Sequence, residues 1–239
     1  MDRWHIVVNW ITGALSAATL LGLAWRSRAR RSYAFVAYLA LVAGQSVRLA
    51  LMTQPVSWST WLAIELLLRF VCVAVAVEIA LRIVVAVPRA RSAVARAGLL
   101  IGAATVTLFF LDVPTAPNPV FEQASPADVA AFEAAQQWLP RLAYGSAWLF
   151  AVFFAAITGA ALPLDPLHRA ALAGFAFYLI LYAVTMGALH ADESYAGVAR
   201  AVQSLAFIAV LGVWCYMAWR REYAPLAAAD VVERLQPWR

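Results

Sequence analysis

Five ionisable residues lie inside long apolar stretches of this sequence, where charged side chains are rare. Arg48 lies in one stretch, and the next stretch carries Glu65 with Arg69 and Glu78 with Arg82. Each such residue costs roughly 2.5–3.5 kcal/mol at the centre of a bilayer on insertion scales. The charges can neutralise each other inside the protein, or they can bind a ligand.

The two glutamate and arginine pairs share one spacing. In both, glutamate precedes arginine by four residues, which is the favourable order for an ion pair along a helix. The offset from position 65 to position 78 turns the second pair by about 220° around the helix, at about 100° per residue. The sequence therefore predicts two intramembrane ion pairs, Glu65 with Arg69 and Glu78 with Arg82, on a helix surrounded by other helices.

Depth in the membrane gives a second grouping of the same residues. Arg48, Glu65 and Arg69 fall at a similar level when consecutive helices run in opposite directions. One hypothesis is an outward-facing polar cavity that binds a small ligand through these three residues. The preferred hypothesis is that these charges neutralise each other and hold the helices of the bundle together, because buried ion pairs commonly have a structural role. Other polar residues predicted in the same halves of their helices are Asn9, Thr12, Gln45, Ser46, Tyr144, Tyr182, Thr185, His190, Gln203 and Ser204.

Several kinds of chemistry are excluded by residue type. None of the 18 basic residues is a lysine, so no Schiff base with retinal can form. The Glu-x-x-x-Arg spacing resembles the motif of intramembrane prenyl-protein proteases, which also need histidines inside helices. Here His5, His168 and His190 fall at the ends of the apolar stretches. We therefore expect no catalytic residue, no metal site and no cofactor.

The apolar stretches themselves indicate an integral membrane protein. Of the 239 residues, 64% are hydrophobic, well above the roughly 45–50% of soluble domains. Seven stretches approach or exceed the roughly 20 residues that cross a bilayer. They predict an all-α seven-helix bundle that forms one transmembrane domain over residues 1–239. The predicted helices cover residues 6–25, 33–52, 61–87, 97–111, 142–162, 170–189 and 201–219.

Arginine clusters set the predicted orientation. They follow the first, third and seventh stretches and precede the sixth, whereas the alternate loops are mainly acidic. The positive-inside rule then places the N-terminus outside and the C-terminus in the cytoplasm. The net charge of +5 reflects this asymmetry across the lipid bilayer and does not indicate a nucleic-acid partner.

The longest predicted loop covers residues 112–138 on the outer side. Its second half starts with Ser125 as N-cap and Pro126 at the first helical position, which predicts a short amphipathic surface helix.

The first 100 residues or so resemble a group of uncharacterised bacterial seven-helix membrane proteins. The resembling features are the basic turn Arg26 to Arg31, the aromatic start Tyr33 to Tyr38, and Glu78 to Arg82 before a basic loop with Pro88. The resemblance implies the bacterial cytoplasmic membrane but brings no activity. The sequence then favours a non-enzymatic membrane subunit or sensor-like module acting through protein partners. The alternative is a small-solute transporter or ligand receptor with an outward-facing polar cavity.

Overall fold

The computed structural model describes residues 3–51, 57–86, 126–159, 164–191 and 193–220, and within these ranges the chain is helical without strands. The predicted fourth helix, 97–111, lies outside the described residues, as does the start of the predicted outer loop. Two short 3-10 turns, Ala29–Arg31 and Glu193–Tyr195, join helices. The α-helices are α1 (Arg3–Trp25), α2 (Tyr33–Leu51), α3 (Trp58–Ala86), α4 (Pro126–Gly159), α5 (Pro166–Ala191) and α6 (Ala196–Trp219).

Five helices of the described ranges are long and apolar enough to cross a membrane, which agrees with the predicted all-α membrane protein. α3, which carries four charged residues, is not one of these five. The membrane-compatible stretches are Trp4–Trp25, Tyr33–Leu51, Arg141–Gly159, Pro166–Thr185 and Ala196–Trp219.

α4 begins at Pro126, as the sequence predicts, but it differs from the prediction in length. It continues without a break for 34 residues to Gly159, so the predicted surface helix and the fifth apolar stretch form one helix. At 1.5 Å per residue its length is about 51 Å, compared with about 30 Å for the hydrocarbon core of a bilayer. Its first half is rich in alanine, the strongest helix former, which favours continuation across Pro140.

The six α-helices of the described ranges form a closed ring. Each packs against its neighbours in chain order, and α1 packs against α6 to close the ring. α1, α3, α4 and α6 end, and α2 and α5 begin, at the same end of the ring. We call this the basic end. The arginines near it include Arg26, Arg28, Arg30, Arg169 and Arg220.

The described residues cover α3 on one side. It contacts α2 and α4, and its buried side chains include Cys72, Val75 and Ile79. On the opposite side Phe70 is 77% exposed, and Val77 is also exposed. Among the described residues, α3 therefore has one uncovered apolar face.

An aromatic cluster fills the middle of the ring. We define it as Phe35 and Tyr38 of α2, Phe150 of α4, Phe175 of α5 and Trp214 of α6, all of which are buried. The ring centroids of Phe35 and Trp214 are 5.0 Å apart and their planes meet at 84°, an edge-to-face contact. Phe175 lies 4.7 Å from Trp214 and 4.8 Å from Tyr38. The cluster joins four helices in one apolar layer.

Two tryptophans of α6 each donate an indole hydrogen bond to a backbone carbonyl of a neighbouring helix. The indole nitrogen of Trp214 donates to the carbonyl of Ala170 on α5 at 3.0 Å, and Trp219 donates to the carbonyl of Ala18 on α1 at 3.0 Å. Each acceptor lies one helical turn before a glycine, Gly174 in α5 and Gly22 in α1. A Cβ at Gly174 would lie 2.5 Å from the Trp214 indole nitrogen. The missing side chain therefore lets the indole reach the helix backbone.

The turn after α1 directs Arg28 towards α6. Ser27 adopts a left-handed conformation with φ 54, and the amide of Arg28 donates to the carbonyl of Leu23 at 2.8 Å. This pattern is a Schellman helix ending, which usually places glycine at the left-handed position. The buried Arg28 guanidinium then donates to the carbonyls of Met217 and Arg220, both at 2.9 Å. A cation at a helix C-terminus interacts favourably with the helix dipole, so Arg28 stabilises the end of α6.

Candidate functional site

A cavity of about 260 Å³ lies between α1, α2, α3, α5 and α6, in the half of the ring away from the basic end. Its wall combines apolar side chains with amides, hydroxyls and one ion pair. This mixture is typical of small-molecule sites, which orient a ligand with a few polar groups in an apolar surface. The lining residues are Val8, Asn9, Thr12, Tyr38, Val42, Gln45, Ser46, Leu49, Glu65, Leu68, Arg69, Cys72, Tyr178, Leu179, Gln203, Ser204 and Phe207.

The ion pair in the cavity wall is Glu65 with Arg69. Nε and Nη2 of Arg69 both donate to Oε1 of Glu65, at 3.1 and 2.8 Å. The guanidinium carbon lies 4.5 Å from the ring centroid of Tyr182 on α5, within range of a cation–π interaction. Arg69 is only 9% exposed, so its position is fixed by these two partners. α3 is thereby connected across the ring to α5.

The predicted set of three ligand-binding residues is divided by the structure. Glu65 and Arg69 both line the cavity, whereas Arg48 is half-buried on α2 and is not among the lining residues. Tyr38 and Tyr178 line the cavity as well. Sequence reasoning did not assign these tyrosines to the cavity, because an aromatic residue within an apolar helix has no spacing that marks the face it occupies.

Several polar side chains of the cavity make no hydrogen bond in the part of the chain that the structure describes. They are Asn9, Thr12, Gln45, Ser46 and Ser204. Burying an amide or hydroxyl without a partner costs roughly 1–3 kcal/mol in proteins. None of their polar atoms is fully buried, so each faces space that water or a ligand can occupy.

Glu78 and Arg82 do not line the cavity. Glu78 accepts hydrogen bonds from the first backbone amides of α2, at 3.1 Å from Tyr33 and 2.7 Å from Ala34, and Arg82 donates to it at 3.0 Å. The first amides of a helix have no partner within the helix, and a carboxylate there also interacts favourably with the helix dipole. Glu78 therefore acts as a cap supplied by another helix.

Replacing Glu78 by alanine should lower the free energy of unfolding by about 2 kcal/mol, the upper end of values for lost helix caps. The matched control is Arg82→Gln, which keeps both contacts between Glu78 and α2. Arg82 is 36% exposed, and an exposed ion pair contributes about 1 kcal/mol or less. Thermal unfolding in detergent gives both values. Equal losses would show that the ion pair, and not the cap, is what matters at Glu78.

A chain of hydrogen-bonding groups at the basic end connects α2 with α5. Ser32 Oγ lies 2.9 Å from Nε2 of His168, and Nδ1 of His168 lies 3.3 Å from Asp165 Oδ2. Serine, histidine and aspartate in this order also form hydrolase triads. Ser32, however, is 1% exposed and His168 is buried, so a substrate has no access to the hydroxyl. The chain of contacts ties together the starts of the two helices.

Asp165, the last member of this hydrogen-bonded series, has a carboxyl group that is held in its ionised form. Burial alone would raise its pKa, but the hydrogen bond and charge of His168, the Leu167 amide and the charge of Arg28 together hold the pKa below its usual value. This supports a helix-capping role, because a carboxylate is a stronger acceptor than a carboxylic acid.

In the described ranges no group of three or more histidine, cysteine or acidic residues could hold a metal ion. No known protein family, curated protein or solved structure matches this chain.

Proposed function

We propose that this chain is a seven-helix integral membrane protein that binds a small polar molecule in its cavity from the outer side. Binding would be passed on to partner proteins, as in a sensor or receptor module. The observation that carries this proposal is the cavity itself, which contains a buried ion pair beside polar groups that have no hydrogen-bond partner within the described ranges. A bundle that is only architectural would be expected to pair or exclude such groups.

The position of the aromatic cluster supports a receptor over a transporter. Tyr38 belongs both to the cavity wall and to the cluster. The fully buried rings of Phe35, Phe175 and Trp214 lie between the cavity and the basic end. A transported solute would have to displace this layer, whereas a bound signal molecule would not.

The direction of the helices supports seven spans. α3 and α4 both run towards the basic end, so the chain must return to the opposite end between residues 86 and 126. The predicted helix 97–111 is the apolar stretch of that segment and would provide the return. The arginines at the basic end then face the cytoplasm by the positive-inside rule. This orientation puts the cavity in the outer half of the bilayer.

We expect cysteine labelling to verify this orientation. A cysteine at Ser27, in the exposed turn after α1, should resist an impermeant thiol reagent in intact cells. A cysteine at Gly197, which is exposed near the start of α6 with no atom within 4 Å of a Cβ, should react. Reaction at Ser27 with protection at Gly197 would reverse the proposed orientation.

A screen of small polar metabolites against the purified protein tests ligand binding. We expect at least one compound to raise the unfolding temperature in a saturable manner. The same compound should have no effect on Ser204→Leu, which fills part of the cavity. If no compound distinguishes the two proteins, the cavity holds only water. The function that the sequence favours, a membrane subunit that acts through protein partners, would then be preferred without a ligand.

A further inference from the structure

The ion pair in the cavity leaves part of its hydrogen-bonding capacity unused. Both bonds from Arg69 reach the same oxygen of Glu65, Oε1. Among the described residues, Oε2 of Glu65 has no hydrogen-bond partner and is not among the fully buried atoms without one. Arg69 also forms a side-chain hydrogen bond with Tyr182, and its five N–H groups exceed the bonds that it makes to Glu65 and Tyr182. Oε2 therefore keeps accessible surface, and both Glu65 and Arg69 line the cavity. The pair presents a cationic donor beside an anionic acceptor.

The charge of the cavity limits what it can hold. Among the described residues that line it, Glu65 and Arg69 are the charged ones, so this part of the wall has no net charge. A bound anion or cation would leave one net charge in a low-dielectric site, which is unfavourable. A molecule that carries both charges leaves the site neutral and forms charge-assisted hydrogen bonds, which are roughly twice as strong as neutral ones.

We propose that the cavity binds a small zwitterion of the α-amino-acid type. Its carboxylate accepts a hydrogen bond from the guanidinium of Arg69, and its ammonium group donates to Oε2 of Glu65. The volume of about 260 Å³ lies just below the roughly 300–1,000 Å³ of sites for drug-sized ligands, which suits a molecule of this size. This inference rests on the proposed function and specifies the ligand class of the same site.

The remaining wall suits the rest of such a ligand. The rings of Tyr178 and Phe207 are in contact, with centroids 4.8 Å apart and planes tilted by 45°, and they form one side of the cavity. The unpaired amides and hydroxyls described above provide hydrogen bonds beside the ion pair. A side chain of moderate size, either apolar or hydroxylated, could thus be accommodated.

Four probes of similar size test the proposal by titration calorimetry on the purified full-length protein. Alanine carries both charges, propionate only the negative charge, ethylamine only the positive charge, and 1,2-propanediol neither. A series of larger α-amino acids, up to phenylalanine, tests the size of the site. We expect at least one amino acid to bind at least ten-fold more tightly than propionate, ethylamine and 1,2-propanediol, each of which lacks one or both charges.

Two variants complete the experiment. The double variant Glu65→Gln with Arg69→Met removes both charges together and should weaken amino-acid binding ten-fold or more. Gly212→Ala, at a site with no atom within 4 Å of a Cβ, should bind like the unmodified protein. Unchanged binding in the double variant would overturn the assignment to this ion pair.

The outcomes also separate this inference from the proposed function. If propionate, ethylamine or propanediol binds as tightly as the amino acids, the zwitterion proposal is wrong, although the cavity is still a binding site. If no amino acid in the series binds, the zwitterion proposal is wrong as well. The screen of other metabolites against Ser204→Leu then decides whether the receptor function also fails.

Discussion

Replacing Gly174 by alanine should lower the free energy of unfolding by about 2–4 kcal/mol. The added Cβ would lie 2.5 Å from the indole nitrogen of Trp214 and 2.8 Å from Cγ1 of Val210. Trp214 is fully buried between Phe35 and Phe175 and cannot shift without disturbing them. Overpacking of this kind costs roughly 1–3 kcal/mol, and loss of the bond to the Ala170 carbonyl adds about 1 kcal/mol.

Gly212→Ala on α6 is the matched control for this change. It adds the same methyl group to a helix, but no atom lies within 4 Å of the new Cβ. Its stability should equal or slightly exceed that of the unmodified protein, because alanine favours helix formation over glycine. Thermal unfolding in one detergent gives both values. If the two variants lost stability equally, the close contact between Trp214 and Gly174 would not be important for packing.

Glu65→Gln should be strongly destabilising alone and less so in combination with Arg69→Met. The single change leaves a buried guanidinium without its carboxylate partner, and breaking buried ion pairs costs roughly 3–5 kcal/mol. Arg69 is 9% exposed, so water cannot replace the lost partner effectively. The double variant leaves no charge stranded. It should therefore recover most of the stability that Glu65→Gln loses.

A double-mutant cycle on thermal stability measures the interaction directly. A coupling energy of about 2 kcal/mol or more would show that the pair maintains the fold. Small and additive losses would show the reverse, that the protein keeps these two charges for a ligand and not for stability. The two roles are compatible in this structure, because the pair uses one oxygen of Glu65 internally and leaves the other accessible.

The local features of this fold could be predicted from the sequence. Apolar length placed the described helices within a few residues of their observed ends, apart from the extended start of α4. The spacing of four residues predicted the pairing of Glu65 with Arg69, because neighbours on one helix need no knowledge of the rest of the fold. Six of the ten polar residues grouped by depth line the cavity, namely Asn9, Thr12, Gln45, Ser46, Gln203 and Ser204.

The contacts between distant helices could not be predicted in the same way. Glu78 was assigned to an intrahelical pair, but it also caps α2, whose amides precede it by about 45 positions. The grouping of Arg48 with Glu65 and Arg69 relied on depth alone. Depth does not specify the angular position of a side chain around its helix. That angle depends on how helices pack, which periodicity reveals poorly when most faces of a helix are apolar.

The closure of the ring between α1 and α6 has a consequence for biosynthesis. Arg28 is translated 189 residues before Met217, whose carbonyl it will bind. At roughly 5–20 residues per second, a ribosome needs about 10–40 s to make the intervening chain. During that interval, α1 and the turn after it lack their final partner and must be held by the insertion machinery or by lipid headgroups. If translation stops before α6, the contact between α1 and α6 cannot form, and Gly22 and Arg28 are left exposed to quality-control proteases.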